Sequence, residues 1–296
     1  MTDQQLLQRI LAKAGFHSTI TKTCDLSGGC IHSVRKVTLS DDSSLVVKMN
    51  NAKYEHLFTE EAAGLDAINK TQTVLTPKPL GVFTIEDTAA IIMTSISTAS
   101  VDDAAWSSFG KELAALHSHD VQNRFGFETD NHIGLTPQPN GWNDDWVEFN
   151  KQQRLGHQLN LTINRNLINQ NQQRKVTAVI DRLDEFLPTN PKPSLLHGDL
   201  WSGNALPAID DNGKMRIAVI DPACYIGDGW ADIAMMKLFG GFPNCCFEAY
   251  ENSVSDHVNI DARLAVYQLY HVLNHVNLFG RSYMGQAMNL ADQVLS

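Results

Sequence analysis

The spacing of apolar residues divides this chain into two regions of different character. Residues 1–16, MTDQQLLQRILAKAGF, are polar and patterned as a short amphipathic helix. From Cys24 to Asn50 the pattern is that of strands: Ile31, Val34, Val37 and Leu39 lie in one run, DDSS makes a turn, and LVVKM follows as a short apolar strand carrying one lysine. In YEHLFTEEAAGLDAINK the residues Phe58, Ala62, Leu65 and Ile68 fall on one helical face. Two prolines in TPKPLGV end that helix, and AAIIMTSI reads as another buried strand. After residue 100 helices take over. Trp106, Phe109, Leu113 and Leu116 mark one, residues 146–187 read as helical, and Val266, Leu269, Leu273 and Val276 mark another that ends near Gly280. NALPAIDDNGKMRIAVID reads as a hairpin, and LTPQPNGWNDD as a loop. The pattern predicts an α+β chain: a small sheet lobe with one main helix over 1–97, then a larger, mostly helical lobe over 98–296.

Composition narrows the function without naming it. The 296 residues are 43% hydrophobic and 19% charged, enough to bury a core. A net charge of −10 argues against nonspecific binding to nucleic acid or to an anionic membrane. The N-terminal stretch lacks the continuous apolar region of a signal peptide, and no apolar run approaches the ~20 residues of a membrane helix. Cys24, Cys30, Cys224, Cys245 and Cys246 are odd in number, irregularly spaced and without a Cys-x-x-Cys pair. That usage predicts a reducing, cytoplasmic setting rather than a disulfide scaffold or zinc ribbon.

The chemistry concentrates in LLHGDLWSGNA, residues 195–205. His-x-Asp-x-x-x-x-Asn is the catalytic loop pattern of phosphoryl-transfer enzymes of the protein-kinase type. Four intervening residues let a tight loop aim both polar groups into one cleft. Asp199 is then expected to orient the attacking hydroxyl and to take its proton, and Asn204 to hold Mg²⁺. His197 is expected to brace the loop. A second metal ligand should end a nearby strand, and Asp221 does so after MRIAVI.

The first lobe can be tested against the same chemistry. Gly28 and Gly29 precede a strand and are candidates for a loop over the phosphates. Lys48 sits inside an apolar strand, where a charge is costly unless paired. Glu61 on the following helix is its expected partner, with Glu60 the competitor. No Gly-x-x-x-x-Gly-Lys-Ser/Thr stretch occurs, so a P-loop NTPase is not supported.

On these residues the chain resembles the fructosamine (ketosamine) kinases, within the protein-kinase-like fold shared with aminoglycoside and choline kinases. HGD with the asparagine is common to that superfamily. LLHGDLWSGN with Trp201, the stretch 125–149, RLGHQL at 154–159 and DIAMMKLFGGF at 232–242 are narrower, and SGGCI and EAAGL agree with them. The similarity spans essentially the whole chain. It implies ATP- and Mg²⁺-dependent phosphorylation of the 3-hydroxyl of a ketoamine formed by glycation, giving a labile product that releases the amine. It also implies that Met93 and Ser95, in the strand IIMTSI, line the adenine side. Two features depart from the family. Trp230 stands where an acid is usual, and the hinge strand lacks its terminal acid.

Several residues admit more than one role. Trp142, Trp146 and Phe149 could form a sugar-stacking wall or could pack helices, and Trp201 is a further candidate for substrate contact. Asp232 is expected to brace the backbone of the catalytic loop. His117 and His119 end a helix, where imidazole suits the negative end of the dipole. His271 and His275 share a helix face and read as packing residues. Cys30, directly after the two glycines, is either a small inward-facing residue or a redox-sensitive thiol beside the phosphates. The expected partner is a small glycated amine, with the protein a monomer or homodimer. Rival readings are a kinase of the same fold acting on an aminoglycoside, choline or another sugar, and a noncatalytic nucleotide-binding protein.

Overall fold

A computed structural model describes residues 2–26 and 32–296. Two compact units make up the chain: Met1–Asp102 with Ala205–Pro222, and Asp103–Asn204 with Ala223–Ser296.

In the first unit, α1 (Asp3–Lys13) opens with a capping box, Thr2 accepting from the Gln5 N–H while the Gln5 side chain accepts from the Thr2 N–H at 2.9 Å. The strands β1 (Ile20–Asp25), β2 (Ser33–Leu39) and β3 (Ser44–Asn51) follow, then α2 (Glu55–Thr71), β4 (Pro79–Ile85) and β5 (Thr88–Thr94). They form an antiparallel sheet in the order β1-β2-β3-β5-β4. Side chains alternate between its faces. Val37, Leu45, Val47, Ala90 and Ile92 pack with Leu7, Ile10 and Leu11 of α1. Ala89, Ile91 and Met93 pack with Phe58 and Leu65 of α2. Each fully buried leucine or isoleucine contributes about 2 kcal/mol. Lys48 falls on the α2 face because Val47 falls on the other. The short strand β6 (Ser97–Thr98) completes the first run of this unit.

The second unit begins with α3 (Asp103–Ser118), then the hairpin β7 (Asn131–Ile133) and β8 (Thr136–Gln138). The stretch expected as a loop therefore holds a short strand. The helical region of 146–187 is broken into α4 (Trp146–Phe149), a π-helical turn (Asn150–Arg154), α5 (Leu155–Asn164), α6 (Gln170–Asp181) and α7 (Leu183–Phe186). The strand β9 (Pro193–Leu196) leads into the HGD turn. Next come β10 (Ala205–Ile209) and β11 (Met215–Val219), the expected hairpin. This hairpin belongs with the first unit: β10 pairs with β6, Leu75 bridges Ala218, and Thr76 donates to the Val219 carbonyl at 2.8 Å. The units are thus not contiguous stretches of chain.

The second unit resumes with β12 (Tyr225–Asp228), which pairs with β9, and α8 (Trp230–Phe239), α9 (Asn244–Glu251), α10 (Ile260–Phe279) and α11 (Met284–Leu295). Helix α10 is buried along most of its length. Its Arg263 makes a two-pronged ion pair with Asp228, at 2.5 and 2.7 Å, and both side chains are almost fully buried. Helices α3 and α9 approach closely at Gly110, where a Cβ would lie 2.2 Å from the Cys246 carbonyl oxygen.

Candidate active site

The first unit gathers three charged groups. Lys48, 6% exposed on β3, donates from Nζ to Glu61 Oε1 of α2 at 2.7 Å and also to Asp221 Oδ1. Glu61 rather than Glu60 takes the lysine, because it lies between Phe58 and Leu65 on the face of α2 that meets the sheet. Burial alone would lower the Lys48 pKa, but the two carboxylates outweigh it and hold the ammonium charged. Burial pushes Glu61 up to about 7, against the pull of Lys48. Asp221 follows β11 with φ +57°, a left-handed conformation that costs a non-glycine residue roughly 1–2 kcal/mol. Its carboxylate is 39% exposed, so a face remains open beside the lysine.

Met93 is buried near the end of β5. Ser95 follows, and its buried Oγ has no hydrogen-bond partner among the described residues. A buried hydroxyl left unsatisfied is costly in a finished core and suits a position that a ligand completes. Gly28, Gly29 and Cys30 lie outside the described residues.

The second unit builds the HGD turn from behind. Gly198 has φ +82°, and a Cβ there would lie 2.1 Å from the Ala223 carbonyl oxygen, so only glycine fits. Asp232 on α8 accepts the N–H groups of His197 at 2.7 Å and Gly198 at 2.9 Å. Burial pushes this carboxyl up, but the hydrogen bond from His117, the neighbouring His117 and His197 rings and the Gly198 N–H together hold it below the ordinary range. The expected brace is therefore present. His117 lies in the last turn of α3, as expected, and its side chain is buried there, bonded to Tyr250 Oη at 2.9 Å and Asp232 at 3.2 Å. His197 is fully buried, and its Nδ1 accepts the Asp199 N–H at 3.3 Å. Asn204 Nδ2 donates to the Asp199 carbonyl at 2.9 Å and approaches its carboxylate at 3.4 Å. The amide is thereby oriented, and its Oδ1 accepts no hydrogen bond among the described residues. The aligned amide oxygen of Asn204 and, separately in the first unit, the partly open carboxylate of Asp221 are each hard donors of the kind Mg²⁺ takes.

The aromatic candidates separate. Trp201 is 41% exposed, its indole lying over Gly203 where a Cβ would come within 2.2 Å. Trp146 and Phe149 are fully buried and stacked on one another, with Trp146 Nε1 donating to Tyr267 at 2.8 Å. They are packing residues and offer no face to a ligand; Trp142 is half-buried. Trp230 is buried too, bonded to the Asp256 carbonyl at 2.9 Å, so the departure from the family acid is filled by core packing. His271 is buried as expected of a packing residue.

Sequence reasoning missed a buried amide network behind the turn. Gln138 donates to the Ala223 carbonyl at 3.0 Å and Asn131 to that of Cys224 at 2.8 Å. Asn140 joins Asn131 to the buried Arg154. Ala223 in turn donates to the His197 carbonyl at 2.8 Å. Polar residues flanking short strands were the only signal, and it is shared with any loop. His32 and Asn50, near Lys48, were also missed.

The Lys48–Glu61 pair and, taken separately, the Asp199–Asn204 turn are each what a phosphotransferase of the protein-kinase-like class requires. Residues 2–296 match the fructosamine kinase family, and the chain belongs to that family. It is 36% identical over 293 residues to a probable ketoamine kinase of Synechocystis sp., covering 99% of this chain and 96% of that one. A chloroplastic protein-ribulosamine 3-kinase of Arabidopsis thaliana is 34% identical, covering 100% of this chain and 89% of the relative. A crystal structure from Thermobifida fusca, assigned as a fructosamine-3-kinase, superposes with a TM-score of 0.86 at 29% identity, covering 99% of each chain. The protein is a kinase acting on a hydroxyl acceptor. No helix among the described residues is long and apolar enough to cross a membrane.

Proposed function

We propose that the protein transfers the γ-phosphoryl group of ATP to the 3-hydroxyl of a ketoamine such as fructosyl-lysine or ribulosyl-lysine. The observation that carries this reading is the complete charge set: Lys48 bound to Glu61 and Asp221, and Asp199 bound to Asn204. Lys48 positions the phosphates, and Glu61 fixes the direction of its side chain. Met93 and Ser95 line the adenine side. Asp199 accepts a hydrogen bond from the acceptor hydroxyl and aims the oxygen at phosphorus. As the new O–P bond forms and the bond to ADP breaks, the hydroxyl proton passes to Asp199. Asn204 and Asp221 would hold Mg²⁺, which neutralises charge on the phosphate oxygens. Trp201, exposed two residues from Asp199, offers an apolar face to a sugar ring.

A coupled ADP-release assay tests the reading against fructosyl-lysine, ribulosyl-lysine, free sugars and an aminoglycoside. Turnover of a ketoamine that requires Mg²⁺ is the expected result. Turnover of an aminoglycoside alone would overturn the substrate and keep the reaction class. Asp199→Asn should lower kcat by on the order of 10²-fold or more while leaving nucleotide affinity near wild type.

A further inference from the structure

His32 immediately precedes β2, two residues before Val34, and Val34 pairs with Lys48 across the sheet. Continuing that register by one residue sets His32 opposite Asn50, on the face that Lys48 shares, and diagonal to the lysine at about 7–8 Å. Phe58 of α2 packs against the imidazole, ring centroids 4.8 Å apart. The Asn50 side chain approaches His32 Nδ1 at 2.9 Å. Which way that amide points is settled by its other end, because Asn50 Oδ1 accepts the Asn51 N–H at 2.7 Å. Asn50 Nδ2 must then be the donor and His32 Nδ1 the acceptor. The remaining proton of a neutral imidazole therefore sits on Nε2. That N–H donates to no described residue.

The ring is neutral for a physical reason. Burial and the Lys48 charge lower its pKa, and Asp221 opposes them only in part. Both charges that act on phosphate and metal thus reach this ring. A residue needed only to cover Phe58 could be any aromatic, and would not need Asn50 to choose its tautomer.

We propose that His32 is a nucleotide-binding residue whose Nε2–H donates to a phosphate oxygen of ATP beside Lys48. The inference rests on the kinase reading and extends it to a residue outside the charged set. It supplies a fixed, uncharged donor next to a cation, which helps orient the phosphate chain without adding repulsion against Lys48.

Calorimetric titration with Mg·ATP, using no acceptor, tests it. Loss of a hydrogen bond to a charged oxygen in His32→Ala should raise Kd about tenfold. His32→Phe keeps the ring against Phe58 and should weaken binding as much as alanine does. His32→Gln carries an amide N–H where the imidazole Nε2–H stands and should stay within about threefold of wild type. Thermal melts of all three separate binding from folding. Wild-type affinity in His32→Phe, or a glutamine variant as weak as alanine, overturns the proposal and leaves the kinase reading intact. A wild-type chain that binds no Mg·ATP sinks the kinase reading, and this inference with it.

Discussion

Asp232 holds Gly198 by its backbone: the Gly198 N–H meets Oδ1 at 2.9 Å, while Oδ2 takes the neighbouring His197 N–H at 2.7 Å. One buried carboxylate thus satisfies the two donors that open the catalytic turn, and His117 supports it from a third side. Because both donors are backbone, the bond constrains the path of the chain rather than its side chains. Asp199 inherits its position from that path.

Asp232→Asn keeps the shape and removes this symmetry. An amide offers one acceptor oxygen, and its NH₂ group would face the second N–H. The variant should lose about 2–4 kcal/mol of stability. It should also lose roughly tenfold or more in kcat, because the turn shifts. Chemical denaturation and steady-state kinetics check both. Stability and turnover near wild type would show that the turn holds itself.

Gly198→Ala tests the same turn from its other side. The added Cβ would lie 2.1 Å from the Ala223 carbonyl oxygen in a conformation with φ +82°. Backbone on both sides leaves little room to relax. A loss of about 2–4 kcal/mol is expected, with activity falling further than in Asp232→Asn. An alanine variant that melts with the wild type would contradict the close approach.

Lys48 and its two acids should divide unequally. Lys48→Met removes the group proposed to meet phosphate and should cost about 10²-fold or more in kcat/KM for ATP. Glu61→Gln removes one of two anchors, since Asp221 still binds the lysine, and should cost about tenfold. Equal losses would mean that Glu61 acts on the nucleotide directly.

These residues were legible because their chemistry requires fixed types at short spacings. Lys48 stood out as a charge inside an apolar strand, and Glu61 as an acid inside an apolar helical stripe. The HGD turn carried Asp199 and Asn204 within six residues, and Asp232 followed from the need to satisfy its backbone. What stayed hidden depends on contacts distant in sequence. Trp146 is buried because Tyr267, on α10, bonds its indole N–H. His117 faces inward because Tyr250 and Asp232 wait there. The hairpin at Ala205–Pro222 joins the first unit through Leu75, Thr76 and β6. Neither a hydrophobic period nor a local motif encodes such pairings. The left-handed turn at Asp221 was equally silent, since aspartate is common in strand-ending loops of every kind.

The last prediction concerns acid. His271 is fully surrounded on α10, and burial, with a smaller contribution from His275 and Arg154, brings its pKa down to about 3 despite the opposing charge of Asp232. Its Nδ1 is buried without a hydrogen-bond partner among the described residues. The folded chain therefore keeps this imidazole neutral where the unfolded chain protonates it. The unfolded state binds the extra proton, so stability is complete above the ordinary histidine pKa near 6.5 and falls as pH drops toward 3. One such group costs about 1.4 kcal/mol per pH unit across that window, or about 2 kcal/mol at pH 5. His271→Gln removes the titrating ring and should flatten that part of the profile, even if packing lowers its stability at neutral pH. Denaturant unfolding at pH 7.5, 6 and 5 gives the comparison. Between pH 7.5 and 5 the wild type should lose about 2 kcal/mol more than the variant. Parallel losses in the two proteins would mean that the acid sensitivity lies elsewhere and that His271 takes its proton without unfolding the chain.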